Sequence, residues 1–365
     1  MKILIVNDQF ENGGAGRVTV TMCCELARRG YDLEIVTDNI NFLVRYSLPD
    51  SVKIHPVSFI GTKKGTLSRV KSLFKTANQI RPVIKQVKPD LIIAIQSNGY
   101  IRTFIANRFM GIPVIAVDHT SFERKMDLIN TFTRHYLYKF ADGLSILTKR
   151  DEKLLGSKYP QKRVIYNPLP YPLIQKEAAR EKTVLCVGRF DIWQIKGFDL
   201  IVDMWDKLAP AHPEWKLVFA GTGNDENVNY IKGLVHERKL DDSVRFLGQV
   251  NDMKKLYTHS GIFALSSRIE GFPMVLLEAM SQGCPCVAFN VGGASEEMID
   301  QGAGFVIEDS NLDAFQLALA ELMDDDEKRK QYSHNAVESV AKFSVSSFGD
   351  CWENMIDDTL RKKNR

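Results

Sequence analysis

Short apolar runs rich in Val, Ile and Leu recur along the whole chain, separated by stretches with helical spacing. Residues 2–7, 32–37, 52–57, 91–95, 113–117, 144–148 and 163–166 have the length and β-branched content of buried parallel strands. Between the first two, a glycine-bearing loop opens a helical pattern that runs to Arg29 and stops at Gly30. That is a βαβ unit. Pro168, Pro170 and Pro172 then alternate, which disfavours helix and central strand alike, and places a hinge around 167–174. Beyond it the alternation restarts. Strands are predicted at 183–187, 216–220, 244–246, 262–265, 286–289 and 304–307. Helices are predicted at 197–208, 227–238, 251–258, 273–282, 294–299 and 311–323. The expected fold class is α/β, with two doubly wound Rossmann-like domains facing a central cleft, at 1–168 and 169–345. A last helix within 346–365 carries Trp352, Met355 and Ile356, which suit packing back on the first domain.

Size agrees with two domains, because 365 residues are long for one core. With 44% hydrophobic and 25% charged residues, the chain belongs to the ordinary soluble globular class. No apolar run approaches the roughly 20 residues of a membrane helix. The opening residues form a strand and lack the long apolar region and cleavage site of a signal peptide, so a cytoplasmic location is expected. A formal charge of +3 gives no argument for nucleic acid. The distribution is more telling. Lys63, Lys64, Arg69, Lys71 and Lys75 head a basic tract that reaches Lys88 without one Asp or Glu. It reads either as a solvated helix face or as a surface for anionic lipid or a lipid-linked diphosphate. Leu67, Val70, Phe74 and Ile84 are candidate apolar contacts beside the charges. The six cysteines show neither a disulfide framework nor zinc spacing, so reduced thiols and no metal site are expected.

The chemistry concentrates in Glu270-Gly271-Phe272-Pro273-Met274 and the Glu278 that follows. Two carboxylates among apolar residues are costly unless polar groups meet them. A helix amino end nearby favours an anion. Glu278 falls about 7–8 Å along the helix from its start, near the separation of a bound sugar from its nucleotide's ribose. Glu278 can accept from ribose hydroxyls and Glu270 from a sugar hydroxyl. The N–H groups of Gly271, Phe272 and Met274 are candidates for sugar and phosphate, while Pro273 suits the first helical position. Arg189 leaves the first strand of the second domain and Lys196 opens the next helix; converging, they can hold a diphosphate without a metal. They would also stabilise the charge of a departing nucleoside diphosphate. In the first domain Gly13, Gly14 and Arg17 can meet a phosphate or a sugar, at a spacing unlike the dinucleotide fingerprint. His119, at a strand end in Asp118-His119-Thr120, is either a satisfied core histidine or a contact at the reacting centre. A glycosidase acid pair is disfavoured, since hydrolysis of a free glycan needs no diphosphate machinery.

These residues resemble the retaining GT-B glycosyltransferases known as family 4. The matching pieces are Gly13-Gly14, His119, Gly188-Arg189, Lys196-Gly197-Phe198, Ala220-Gly221, Phe246-Leu247-Gly248, Glu270-Gly271-Phe272-Pro273 with Glu278, Gly283 to Ala288, and Gly292-Gly293. The resemblance implies that Arg189 and Lys196 bind the donor diphosphate, Glu278 the ribose and Glu270 the transferred sugar. It implies that Gly14 lies by diphosphate and acceptor, and that His119 is the cleft histidine. It further implies a metal-independent transfer with retention, in which the pyrophosphate takes the acceptor proton on the face it leaves. The expected donor is a UDP-hexose or UDP-N-acetylhexosamine, with GDP as the other carrier. No cofactor beyond that co-substrate is expected. The expected acceptor is a lipid-linked or other glycan of lipopolysaccharide, capsule or exopolysaccharide, met by a protein peripheral on the inner face of the cell membrane. Two other functions fit the same constellation: a non-catalytic nucleotide-sugar-binding assembly partner, and a sugar-nucleotide epimerase or hydrolase.

Overall fold

The strand-forming runs fold into two separate parallel sheets. The computed structural model describes residues 1–8, 14–38, 47–59, 66–159, 161–176 and 178–363. The chain divides after Pro168: one unit holds residues 1–168 and 345–365, the other 169–344. In the first unit β1 (Lys2–Val6), β2 (Asp32–Thr37), β3 (Lys53–Pro56), β4 (Leu91–Ile95), β5 (Val114–Val117), β6 (Gly143–Ile146) and β7 (Lys162–Val164) form one sheet. Its order is β3-β2-β1-β4-β5-β6-β7, and every pairing is parallel. Residues of β1, β4, β5 and β6 are buried almost without exception, as strands covered by helices on both faces require. The order reverses between β1 and β4, which makes that carboxyl-end position a topological switch point.

The second unit repeats the plan. β8 (Glu181–Val187), β9 (Lys216–Ala220), β10 (Val244–Phe246), β11 (Ser260–Leu265), β12 (Cys286–Phe289) and β13 (Gly304–Ile307) lie in the order β10-β9-β8-β11-β12-β13, again all parallel. Its switch point is between β8 and β11. The sheet is packed by an apolar cluster that includes Phe190, Phe198, Trp205, Phe219 and Phe289.

The helix Val345–Lys363 belongs to the first unit, with Trp352, Met355 and Ile356 buried there. Arg29 anchors it by pairing with Asp350 at 2.8 Å and with Glu353. Gly143 permits the close approach: a Cβ there would stand 2.9 Å from the Met355 methyl and 3.0 Å from the Thr359 hydroxyl.

Sequence and structure part in a few places. Ile84 is 1% exposed and cannot be a surface contact. It continues the inward stripe Leu73, Ala77, Ile80, whose alternating spacing of four and three is the core face of the helix Thr66–Val87. The strand expected at 163–166 is Lys162–Val164, and the helix expected at 251–258 is Met253–His259. The helix Asp326–Val340 was not foreseen. The candidate residues Gly13, Lys63 and Lys64 lie outside the described residues. All six cysteines are free, and Cys23, Cys186, Cys284 and Cys286 are buried. No described helix is long and apolar enough to cross a membrane.

Candidate functional site

In the second unit, three strand-end loops are laced together by their backbones. Gly188 N–H donates to Ala220 O at 3.0 Å, Phe190 N–H to Thr222 O at 2.8 Å, and Gly221 N–H to Gly248 O at 2.9 Å. The lacing demands glycine. Gly221 has φ +146°, and a Cβ there would overlap the Gly188 carbonyl. Gly221→Ala is therefore expected to cost roughly 3 kcal/mol or more, a melting-temperature drop on the order of 10 °C. Thermal unfolding followed by circular dichroism checks this; an unchanged melting temperature would contradict the lacing.

The tract from Arg189 to Lys196 folds as a 3-10 turn, Phe190–Ile192, and one helical turn, Trp193–Lys196, ended by Gly197 at φ +63°. This compact path returns Lys196 to the carboxyl end of β8, where its Cγ would stand 3.1 Å from a Cβ on Gly188. Neighbouring groups hold the turn. Ser266 Oγ donates to the carbonyls of Lys196 and Gly197, at 3.1 and 2.9 Å. Arg268 N–H donates to Ile195 O at 2.8 Å, and the Arg268 guanidinium grips Asp199 at 2.7 and 2.8 Å.

Held this way, Lys196 Nζ donates to Glu270 Oε1 at 2.8 Å. The two residues come from opposite sides of the switch point, Lys196 after β8 and Glu270 after β11. The loop then runs through Gly271 and Phe272, with the Phe272 ring packed edge-on to Phe343 at 5.7 Å. Pro273 is the N-cap of the helix Met274–Ser281 and not its first residue, as the sequence had suggested. No side chain caps that amino end, so its first N–H groups, beginning at Met274, remain available to an anion. One turn further along, Glu278 is half-buried and accepts from Tyr257 Oη at 2.8 Å. Burial, followed by the Glu278 charge, raises the Tyr257 phenol far above its ordinary value and keeps it a donor. Arg189 is exposed at the rim and forms no ion pair among the described residues. Thus Arg189, Lys196, Gly221, Glu270 and Glu278 all belong to the carboxyl end of one sheet. They gather two cations, two carboxylates and a helix amino end at that edge of the sheet.

The first unit carries its own strand-end cluster. Gly14 opens the helix Gly14–Arg28 beyond β1, and Arg17 is in its first turn. His119 follows β5. Its neighbours are fixed by a buried network: Asp118 Oδ2 accepts from Arg134 Nε at 2.8 Å and Tyr138 Oη at 3.1 Å, while Arg134 Nη2 donates to Thr120 O at 2.7 Å. The imidazole itself is not satisfied, because buried Nδ1 has no hydrogen-bond partner among the described residues. Burial pushes its pKa down to about 4, so His119 is neutral at physiological pH and can offer a hydrogen bond but no cation. The sign of the linkage follows. The unfolded chain takes up this proton near 6.5 and the folded chain only near 4. Between those values the unfolded state binds more protons, so this contribution to stability is complete above 6.5 and is lost as pH falls. His119→Gln is expected to narrow the difference in denaturation midpoint between pH 7 and pH 5. An unchanged difference would place the imidazole in water.

Sequence reasoning found the charged residues but missed those that aim them: Ser266, Arg268 and Asp199 behind Lys196, Tyr257 behind Glu278, and Arg134 beside His119. The polar dipeptide Ser266-Ser267 at the end of an apolar strand was the one available signal. Among the described residues no group of three or more His, Cys, Asp or Glu is placed to hold a metal ion.

Comparisons with known proteins converge on one group. The family model described as Glycosyltransferase Family 4 matches residues 12–170, and that described as Glycosyl transferases group 1 matches 173–339. An uncharacterised glycosyltransferase of Haemophilus influenzae is 26% identical over 349 residues, covering 94% of this chain and 96% of that protein. A protein of Campylobacter jejuni is 25% identical over 367 residues and 98% of both chains; it is the alpha-1,4-N-acetyl-D-galactosaminyltransferase named for GalNAc-alpha-(1->4)-GalNAc-alpha-(1->3)-diNAcBac-PP-undecaprenol. Among solved structures, sucrose-phosphate synthase from Thermosynechococcus elongatus superposes with a TM-score of 0.83 over 99% of both chains, at 19% identity.

Proposed function

Because the chain belongs to the GT-B glycosyltransferases, we propose that it is a retaining, metal-independent transferase. It would move a hexose or N-acetylhexosamine from a UDP-sugar to a lipid-linked glycan in cell-surface polysaccharide assembly. The observation that carries the reading is the Lys196–Glu270 pair at the β8/β11 switch point, 2.8 Å apart, with the uncapped amino end of Met274–Ser281 beside it. The acceptor class is taken from the relative in Campylobacter jejuni, whose named substrate is an undecaprenyl diphosphate glycan.

On this reading the donor diphosphate lies against Arg189, Lys196 and the helix amino end, which together offset its charge without a metal. The ribose diol donates to Glu278 and a sugar hydroxyl to Glu270. The bond between the anomeric carbon and the β-phosphate oxygen breaks, and its electron pair leaves on that oxygen. The acceptor hydroxyl bonds to the anomeric carbon on the same face and gives its proton to the departing oxygen. Lys196 neutralises the charge that grows there, so the step needs no protein nucleophile. Neutral His119 can offer a hydrogen bond but is not a proton source at physiological pH.

The test is incubation with UDP-, GDP-, ADP- and dTDP-sugars, without added metal, with and without membrane lipid extract. Nucleoside diphosphate release that requires the lipid fraction, with an α-linked product from an α-linked donor, is expected. Release of free sugar at the same rate without lipid would make the protein a hydrolase. Inversion at the anomeric carbon would remove the same-face mechanism.

A further inference from the structure

The first unit exposes an unusual number of aromatic side chains, and their spacing is regular. Leu128, Phe132, Tyr136 and Phe140 follow one another at intervals of four along 128–140, and all are exposed, Leu128 at 77%. The π-helical turn Thr133–Leu137 lies within this stretch. Phe132 and Tyr136 stack with centroids 5.3 Å apart, and Phe140 meets Phe104 at 6.0 Å. On the helix Thr66–Val87, Val70 and Phe74 repeat the interval of four along the exposed flank of the core stripe. Phe74, Phe104, Phe109 and Phe140 line one open groove of about 900 Å³. At its edge Phe109 is 87% exposed and has φ +68°, a conformation that a bulky side chain adopts at a cost. The Arg108 guanidinium lies over its ring at 4.7 Å, and at that exposure the phenyl buries little apolar surface in the fold.

Charge identifies the occupant. Lys71, Lys75, Arg108 and Lys139 are exposed beside these rings and form no ion pair among the described residues. Of the acids nearby, Asp127 is paired with Arg69 at 2.9 Å, while exposed Asp142 at the groove accepts from Val114 N–H at 2.8 Å and keeps its charge, so the four cations outnumber it. Aromatic and aliphatic tips set among unneutralised cations match the boundary between anionic headgroups and acyl chains.

We propose that this face, formed by the helix Thr66–Val87, the Phe109 turn and the segment 128–140, docks the protein on an anionic phospholipid bilayer. Phe109 and the 128–140 stripe insert, and the lysines and Arg108 meet the headgroups. The inference deepens the lipid-linked acceptor reading and rests on it for its purpose. It differs from a purely basic surface because inserted rings resist salt while exposed charges are screened.

The experiment is sedimentation of the full chain with phosphatidylcholine vesicles, with and without phosphatidylglycerol, at low and high salt. Phe109→Asn keeps the turn, since Asn tolerates positive φ; Phe132→Ser and Tyr136→Ser remove exposed rings. The wild type should prefer phosphatidylglycerol vesicles and remain partly bound at high salt. The Phe109→Asn and Phe132→Ser pair should weaken binding about tenfold or more. Binding that is abolished by salt and indifferent to both ring substitutions would overturn the proposal, as would no vesicle binding at all. Donor-induced thermal stabilisation of the same variants separates the two readings. If it persists while vesicles are ignored, the docking face falls and the transferase stands. Vesicle binding without any donor stabilisation has the opposite meaning.

Discussion

Replacing Lys196 by alanine should lower kcat by about 10²–10³, with a smaller change in donor affinity. On the proposed donor pose the ammonium would lie where negative charge is greatest in the transition state and weaker in the bound donor. It already faces a carboxylate, Glu270, at 2.8 Å. Lys196 and Glu270 are only 17% and 12% exposed, so each charge depends on the other when the site is empty. Removing Lys196 therefore also leaves Glu270 without its cation, and a single variant cannot divide the two effects. The cycle Lys196→Ala, Glu270→Gln and the double variant does so. If the pair acts as a unit, the double variant should be little slower than Lys196→Ala alone. Initial rates with saturating donor decide it: full additivity would mean that the two residues serve separate steps.

The stability side of that experiment is constrained by the fold. The loop that carries Lys196 is held by backbone acceptors, the Ser266 hydroxyl and the Arg268–Asp199 pair, not by the Lys196 side chain. Lys196→Ala should lose some stability through the stranded Glu270, whereas the double variant, which removes both charges, should melt near the wild type. Substitutions in the supports have the reverse signature. Gly197→Ala would drive a Cβ into the Ser266 carbonyl, so it should lose stability and turnover together.

The strands were legible because buried parallel strands must be short apolar β-branched runs, and few other segments look like that. The glycines at 188, 197 and 221 were legible only through the family resemblance; their physical reasons are a backbone crossing at 197 and 221 and the Lys196 and Phe198 side chains packed against 188. The helix Asp326–Val340 was not. Only Ser333, Ala336, Ser339 and Val340 of its residues are buried, so its inner face is small and polar and shows no apolar period. Its purchase comes from hydroxyls: Ser339 Oγ donates to Met298 O at 2.7 Å, and Arg180 donates to Ser333 Oγ at 3.3 Å. Ile84 shows the converse. Read as one member of a charged tract it looked superficial, but read at helical spacing with Leu73, Ala77 and Ile80 it belongs to the core. The charged site residues stood out because a charge beside apolar strand ends is unusual. The residues that orient them did not, since Tyr257 is 21 positions from Glu278 and Arg134 is 16 from Asp118. Such pairs are created by helix packing, and no local spacing announces them.

Glu278 should separate cleanly from Lys196 in binding. Glu278→Ala is expected to weaken donor affinity about tenfold to a hundredfold while kcat at saturation changes little, because a ribose contact is made equally in ground and transition states. The nucleotide alone provides the sharper comparison. If Glu278 meets ribose and Glu270 meets the sugar, Glu278→Ala should weaken stabilisation by UDP and by UDP-sugar to the same degree. Glu270→Gln should spare UDP and impair only UDP-sugar. Tyr257→Phe belongs in the same series. It deletes the donor 2.8 Å from Glu278 Oε2 and leaves the carboxylate present but unaimed. A loss of affinity about a third to a half as large, in free energy, is expected. Thermal-shift titrations with UDP and with the matching UDP-sugar measure all three. Equal loss of UDP binding in the Glu270 and Glu278 variants would show that the two carboxylates share one part of the ligand. In that case the distance along the helix that separates them would have nothing to do with ribose and sugar.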